Sequence, residues 1–207
     1  AHGAHFMGNH FPDGAVAQGA DLVVHSTHKT LAALTQAAML HVRGQRINRQ
    51  ALRSSLELLQ TSSPSYLLME SLENAVSMLK SFCWDDLYEQ VITMQEKLDG
   101  RLRLLTNKDC GNYGIKDIDW TKILVNTSSL DIETNNVVKI LRTAFLIEPE
   151  LWDDNNILFI LGIGSKPQDV SVLSNALERI ANEYGNSYGG YRNHINDFNG
   201  NIPWEEL

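Results

Sequence analysis

Four consecutive residues have side chains that could do chemistry together, and they follow a short apolar run: Ser26, Thr27, His28 and Lys29. The hydroxyls and the imidazole can donate hydrogen bonds to phosphate oxygens, and a lysine amine can form a Schiff base if its pKa is lowered. The apolar run, residues 21–25, predicts a buried strand. In α/β sheets, ligands bind outside the carboxyl ends of strands, so this position suits a ligand loop. A polar turn with a solvated lysine would show the same residues, and the tetrapeptide alone does not decide between the two.

The surrounding sequence predicts the elements that would position this segment. A second strand is expected over residues 37–42. Asn48 and Ser65 are good helix N-caps, and they predict helices over residues 49–59 and 66–79. A third helical pattern runs over residues 81–98.

The second half of the chain predicts a compact α/β unit. Its expected elements are a strand at 122–126, a helix at 131–144, strands at 145–148 and 157–163, and a helix at 168–184. The predicted organisation is therefore a first domain over residues 1–82, a smaller α/β domain over 83–184, and a tail over 185–207 that is expected to be poorly ordered.

The composition argues against several kinds of partner. The formal net charge is −8, and no compact run of Lys and Arg is present, so the basic face that nucleic acid or an anionic membrane requires is not predicted. No apolar run reaches the roughly 18 residues of a membrane span. Cys83 and Cys110 are too few for a disulfide framework, and a reducing, cytoplasmic compartment is expected.

Three ordered segments resemble one protein family. Residues 26–31 (Ser-Thr-His-Lys-Thr-Leu), with Leu-Thr-Gln at 34–36, are similar to the cofactor-lysine signature of the ornithine/lysine/arginine decarboxylases. Residues 1–6 and 60–66 resemble two further segments of that family. The resemblance runs from Ala1 to about Glu183, and it is to the C-terminal part of a short member. It implies the end of a fold type I, aspartate-aminotransferase-like large domain followed by a smaller α/β domain.

The resemblance also implies roles for individual residues. Lys29 would hold pyridoxal 5′-phosphate and later move protons at the substrate carbon. Ser26 and His28 would bind the cofactor phosphate. Ala1 would pack near the pyridine ring, and His2 would lie beside the ring as the second catalytic residue.

A subunit partner is implied in the same way. Thr61, Ser62 and Ser63 would approach the phosphate from the neighbouring subunit, as is usual in the family. A homodimer or higher homo-oligomer is therefore expected, because one chain would not complete the site.

The implied reaction is decarboxylation of ornithine, lysine or arginine to a polyamine precursor. The protonated pyridine ring acts as an electron sink for the carbanion that decarboxylation leaves. In the family, an Asp two residues before the position matched to Ala1 pairs with the pyridinium nitrogen, and that position precedes this sequence. We therefore expect a fragment of a longer protein, and we expect the 207-residue chain alone not to decarboxylate.

Two other functions fit the same lysine. Another fold type I reaction, such as transamination, uses the same residue type, so Lys29 cannot discriminate between them. A non-catalytic fragment or pseudoenzyme that pairs with a full-length relative is the other alternative.

Two local hypotheses concern charged and metal-ligating side chains. Five histidines lie within the first 28 residues, near Asp13 and Asp21: His2, His5, His10, His25 and His28. A metal site needs three or four converging ligands, and none is expected here. Glu148 or Glu150 could anchor the distal cation of a basic substrate, although a plain turn has the same pattern.

Overall fold

The computed structural model describes residues 2–112 and 114–185 of the chain. These residues form two compact units, each with its own sheet. The first unit comprises the described residues within 2–91, 106–121 and 161–167, and the second comprises 92–105, 122–160 and 168–185. The mixed α/β class is confirmed. The domain limits 1–82 and 83–184 stay a prediction, and the tail beyond Gly185 lies outside the described residues.

A two-stranded antiparallel sheet lies in the first unit. Strand β1 (Leu22–His25) pairs with β2 (Met39–Val42). The connection between them contains α1 (Thr27–Thr30), a single helical turn where the sequence suggested only a loop. Lys29 lies in this turn.

The next two helices begin where the sequence predicts. Helix α2 (Arg49–Leu59) starts after Asn48, whose side chain accepts hydrogen bonds from the amides of Gln50 and Ala51. Helix α3 (Tyr66–Ser81) starts after Ser65, whose side chain accepts from the amide of Leu68. These bonds satisfy N–H groups that have no partner inside the helix. Helix α2 buries none of its residues.

Helix α4 (Asp85–Leu98) starts later than the predicted 81, because Phe82 takes an extended conformation and ends α3. The residues that α4 buries recur at intervals of three or four, as one apolar helix face requires. They are Leu87, Val91, Met94 and Leu98.

The second unit has a four-stranded antiparallel sheet in the order β3-β4-β6-β5. Its strands are β3 (Arg103–Leu104), β4 (Lys122–Asn126), β5 (Leu151–Trp152) and β6 (Asn156–Ile160). Helices α5 (Thr134–Phe145) and α6 (Pro167–Tyr184) follow β4 and β6. Strand β3 is too short to have been recognised from its sequence, and no strand was predicted there.

The strand predicted at residues 145–148 is wrong. Phe145 is the last residue of α5, and Leu146 takes a left-handed conformation with φ 56°. The amide of Ile147 then donates to the carbonyl of Leu141, which closes the helix end. The apolar Phe-Leu-Ile run suggested a strand because its composition does not distinguish a strand from a helix end.

Candidate functional site

Lys29 is presented by the short helix α1. The amide of Lys29 donates to the carbonyl of Ser26 at 3.1 Å, and the amide of Leu31 donates to that of Thr27 at 2.9 Å. Thr27 and Leu31 are buried, whereas Lys29 is exposed. The two buried neighbours hold the turn in place, and the amine of Lys29 remains accessible.

The structure brings Lys29 and His2 together. Lys29 Nζ lies 3.3 Å from His2 Nε2. An ammonium group has no acceptor lone pair, so Nζ donates and Nε2 accepts in this contact. An imidazole in this position can receive a proton from the lysine or return one to it.

His28 is held by a single carbonyl. Its backbone amide donates to the oxygen of Ala37 at 3.2 Å, and its ring Nδ1 lies 2.9 Å from the same oxygen. A carbonyl oxygen can only accept, so Nδ1 carries a proton. Ser26 is half-buried at the start of α1, and its side chain does not cap that helix.

The hydroxyl segment that separates α2 from α3 is exposed. Within it, the amide of Ser63 donates to Oγ1 of Thr61 at 3.2 Å, and Ser62 lies between them. In the part of the chain that the structure describes, these three side chains make no hydrogen bond to Lys29, and Ala1 lies outside the described residues.

A buried polar cluster in the first unit was not recognised as a unit from the sequence. His5 Nε2 lies 3.0 Å from Asp119 Oδ2, and Thr121 Oγ1 donates to the other carboxylate oxygen at 2.6 Å. His5 is only 2% exposed. Four aromatic rings surround this cluster: Phe6, Phe11, Trp84 and Trp120. No local pattern links residue 5 to residue 119, so the sequence carried no signal for this contact.

Comparison with known proteins identifies the family. A model of the Orn/Lys/Arg decarboxylase major domain matches residues 1–118, which is more than half of the chain. The chain belongs to the Orn/Lys/Arg decarboxylase family. Lys29, His2 and His28 all fall inside the matched region. Enzymes of this family depend on pyridoxal 5′-phosphate.

Two curated Bacillus subtilis proteins are similar to this chain. The chain is 34% identical over 168 residues to YaaO, an uncharacterized Bacillus subtilis protein. The aligned region covers 80% of this chain and 35% of YaaO. It is 33% identical over 190 residues to an arginine decarboxylase of the same organism, covering 88% of this chain and 39% of the relative. The chain therefore spans less than half the length of these curated relatives.

A solved structure supports the fold. The lysine decarboxylase LdcF of Francisella novicida superimposes with a TM-score of 0.59 at 22% identity, over 75% of this chain and 27% of that one. At this identity, the likeness supports the fold alone.

Within residues 2–112 and 114–185, no group of three His, Cys, Asp or Glu side chains could hold a metal ion.

Two of the histidines near the start of the chain contact other aromatic rings. His10 stacks on Tyr88 at 3.9 Å between ring centroids. His25 lies 4.7 Å from the ring of His41, and burial followed by the nearby His41 lowers the pKa of His25.

Glu148 is paired within the second unit. Arg142 donates to both of its carboxylate oxygens, and the Nε to Oε2 distance is 2.8 Å. The hydrogen bond from Arg142 is the largest cause of the lowered pKa of Glu148. A substrate cation would have to compete with Arg142 for this carboxylate.

Among the helices that the structure describes, none combines the length and the apolar character that a membrane span requires.

Proposed function

We propose that the protein carrying this chain is a pyridoxal-phosphate-dependent decarboxylase that converts ornithine, lysine or arginine to a polyamine precursor. The observation that carries this proposal is the contact of 3.3 Å between Lys29 Nζ and His2 Nε2, made by an exposed amine within the region that matches the family. The other fold type I reactions use the same lysine, and the family match favours decarboxylation over them.

The residues around Lys29 fit the cofactor chemically. An aldehyde needs an accessible primary amine, and Lys29 is exposed. A phosphate needs hydrogen-bond donors, and Ser26 and His28 lie three positions and one position before Lys29. When bound, the pyridine ring supplies an electron sink for the charge that carbon dioxide leaves at the substrate carbon.

Lys29 and His2 divide the remaining work in this proposal. Lys29 binds the cofactor through Nζ and moves a proton to or from the substrate carbon. His2 Nε2, which accepts a hydrogen bond from Nζ, holds the proton that the lysine must exchange. Ser26 and His28 bind the phosphate and so fix the distance of the cofactor from Lys29.

A second subunit completes the site in this proposal. The hydroxyl segment Thr61, Ser62 and Ser63 is exposed and follows Leu58 and Leu59, which are each 85% exposed. Apolar side chains exposed to this degree favour contact with another protein surface. We therefore propose a homodimer or higher homo-oligomer in which these hydroxyls reach the partner's cofactor phosphate.

A product assay tests the reaction type. The full natural polypeptide that contains this chain is incubated with pyridoxal 5′-phosphate and with arginine, lysine or ornithine in turn. Arginine is the first choice, because a Bacillus subtilis arginine decarboxylase is 33% identical. Release of carbon dioxide with a stoichiometric amine supports the proposal, and a keto acid product would indicate transamination instead. Lys29→Ala is the matched inactive control.

A further inference from the structure

A strained turn lies just beyond the lysine segment. The amide of Ala37 donates to the carbonyl of Leu34 at 3.0 Å, which closes a β-turn over residues 34–37. The third residue of the turn, Gln36, has φ 78°. This left-handed region is normally occupied by Gly or Asn in such turns, because a Cβ atom is disfavoured there. A glutamine at this position is an outlier that the surrounding structure must maintain.

The turn is fixed to its surroundings at its first residue. The amide of Leu34 donates to Oγ of Ser71 on α3 at 3.2 Å, and that hydroxyl donates to the carbonyl of Leu68 at 2.8 Å. Helix α3 thus holds the first residue of the turn, and the left-handed Gln36 sets the direction of the next peptide group.

The last residue of the turn controls His28. The carbonyl of Ala37, which is 2% exposed, accepts both the backbone amide and the ring Nδ1 of His28. Two bonds to one buried oxygen fix the rotation of the imidazole and keep the proton on Nδ1. Nε2 is then the ring atom that remains for a ligand, and it donates to a phosphate oxygen in the doubly protonated ring, in which both nitrogens carry a proton.

We propose that the turn over residues 34–37 positions His28 for the cofactor phosphate, with Gln36 as a positioning residue that acts through the carbonyl of Ala37. This inference rests on the proposed function, because it requires a phosphate-bearing cofactor at Lys29. It predicts that Gln36, which is exposed and need not touch the cofactor, affects binding of the phosphate and not of the pyridine ring.

The test compares two ligands that differ only in the phosphate. Apo-protein of the full natural polypeptide is titrated with pyridoxal 5′-phosphate and with pyridoxal, and the adduct on Lys29 is trapped with borohydride and quantified. The ratio of the two dissociation constants reports the phosphate contacts alone. Thermal unfolding of each apo-variant reports stability separately.

Two substitutions of His28 separate the hydrogen bond to Ala37, which orients the side chain, from the contact with the phosphate. His28→Asn places an amide N–H near the position of Nδ1 and keeps a donor for Ala37, whereas His28→Gln places one near Nε2 and loses that bond. Both variants should lower the preference for the phosphate form, by about tenfold, since one charge-assisted hydrogen bond has this magnitude. A preference for the phosphate form in His28→Gln equal to that of wild type would overturn the proposal. A donor near the phosphate would then suffice without the hydrogen bond to Ala37 that orients the side chain.

Gln36 supplies the decisive pair of variants. Gln36→Val, with a β-branched residue disfavoured at positive φ, should reduce the phosphate preference several-fold, and Gln36→Asn should retain it. His10→Gln, at a half-buried histidine that stacks on Tyr88 and lies 3.3 Å from Asp85, is the histidine control. An equal loss for both ligands in Gln36→Val would mean a merely structural role and would overturn the inference. If wild-type protein forms no Lys29 adduct with either ligand, the proposed function fails as well.

Discussion

His5 Nε2 donates to Asp119 Oδ2 at 3.0 Å and joins two segments that are 114 positions apart in the sequence. His5 is three residues from His2, the imidazole that contacts Lys29. Asp119 also accepts from the amide and the hydroxyl of Thr121, at 3.1 and 2.6 Å. This carboxylate therefore anchors the segment that carries His2.

The first prediction concerns this buried contact. His5→Ala and Asp119→Ala should each lower the free energy of unfolding by about 2 kcal/mol, because one leaves the half-buried Asp119 and the other the buried His5 without this hydrogen bond. The double variant should lose less than the sum of the two, by about 1 kcal/mol. The measurement is denaturant unfolding followed by tryptophan fluorescence, since Trp84 lies 6.2 Å from His5 between ring centroids.

Asp117→Ala is the matched control for that cycle. The Asp117 carboxylate is exposed and accepts from the amide of its neighbour Ile118 at 2.8 Å. Its loss should have little effect on stability. If the losses in unfolding free energy of the two single variants add up to that of the double variant, His5 and Asp119 do not stabilise each other.

The second prediction concerns pH. Burial, followed by the nearby His41, lowers the pKa of His25. The folded state therefore binds a proton at His25 less readily than the unfolded state does. The resulting stability is complete above the ordinary histidine pKa of about 6.5, and it is lost as the pH falls below that value towards the lowered folded pKa. Unfolding midpoints between pH 7.5 and 5.0 should fall more steeply for wild type than for His25→Asn.

Leu22→Ala serves as the comparison for the pH series. Leu22 lies on the same strand as His25, is 43% exposed and has no titratable group, so its substitution should leave the slope below pH 6.5 unchanged. A His25→Asn slope equal to that of wild type would refute the assignment to His25.

The third prediction concerns the start of helix α2. Because α2 buries none of its residues, its stability depends strongly on the two hydrogen bonds that Asn48 accepts. Asn48→Ala should lower the stability of α2 by about 1 kcal/mol, and this loss should be seen as faster hydrogen exchange of the amides over residues 52–59. Gln50→Ala changes a neighbouring side chain and keeps the cap, so it should preserve protection. Equal exchange in both variants would show that tertiary contacts, and not the cap, hold the helix.

The fourth prediction concerns self-association. Leu58 and Leu59 are each 85% exposed at the end of α2. The isolated 207-residue chain should therefore associate in solution, and Leu58→Lys with Leu59→Lys should reduce its light scattering. Val172→Lys, at a position 50% exposed on α6, adds charge elsewhere and should have a smaller effect. If Val172→Lys lowers the light scattering equally, the added charge and not the loss of the apolar α2 surface reduces the association.

Sequence reasoning predicted those elements whose signals are local. Asn48 and Ser65 cap the helices that they were expected to cap, because a side-chain oxygen that meets the first amides is a short-range interaction. The lysine segment was recognised from its resemblance, together with residues 1–6 and 60–66, to segments of the family, and each of these segments is local in the sequence. These features depend on neighbours in the chain and can be inferred without the fold.

Features that depend on distant contacts could not be predicted. Nothing near His5 indicates Asp119, and nothing near Gln36 indicates that its φ is positive or that Ala37 accepts two bonds from His28. The erroneous strand at 145–148 has the same origin, because the left-handed cap at Leu146 depends on how α5 ends. The roles of the site residues remain predictions for the same reason, since they depend on a cofactor and a second subunit.

The most direct test of the central claim is chemical trapping at Lys29. The natural polypeptide is purified from its source, reduced with borohydride, and digested, and its peptides are mapped by mass spectrometry. We predict one pyridoxyl group per polypeptide, on the peptide that contains Lys29. A fully unmodified Lys29 in protein that has been saturated with pyridoxal 5′-phosphate would contradict it.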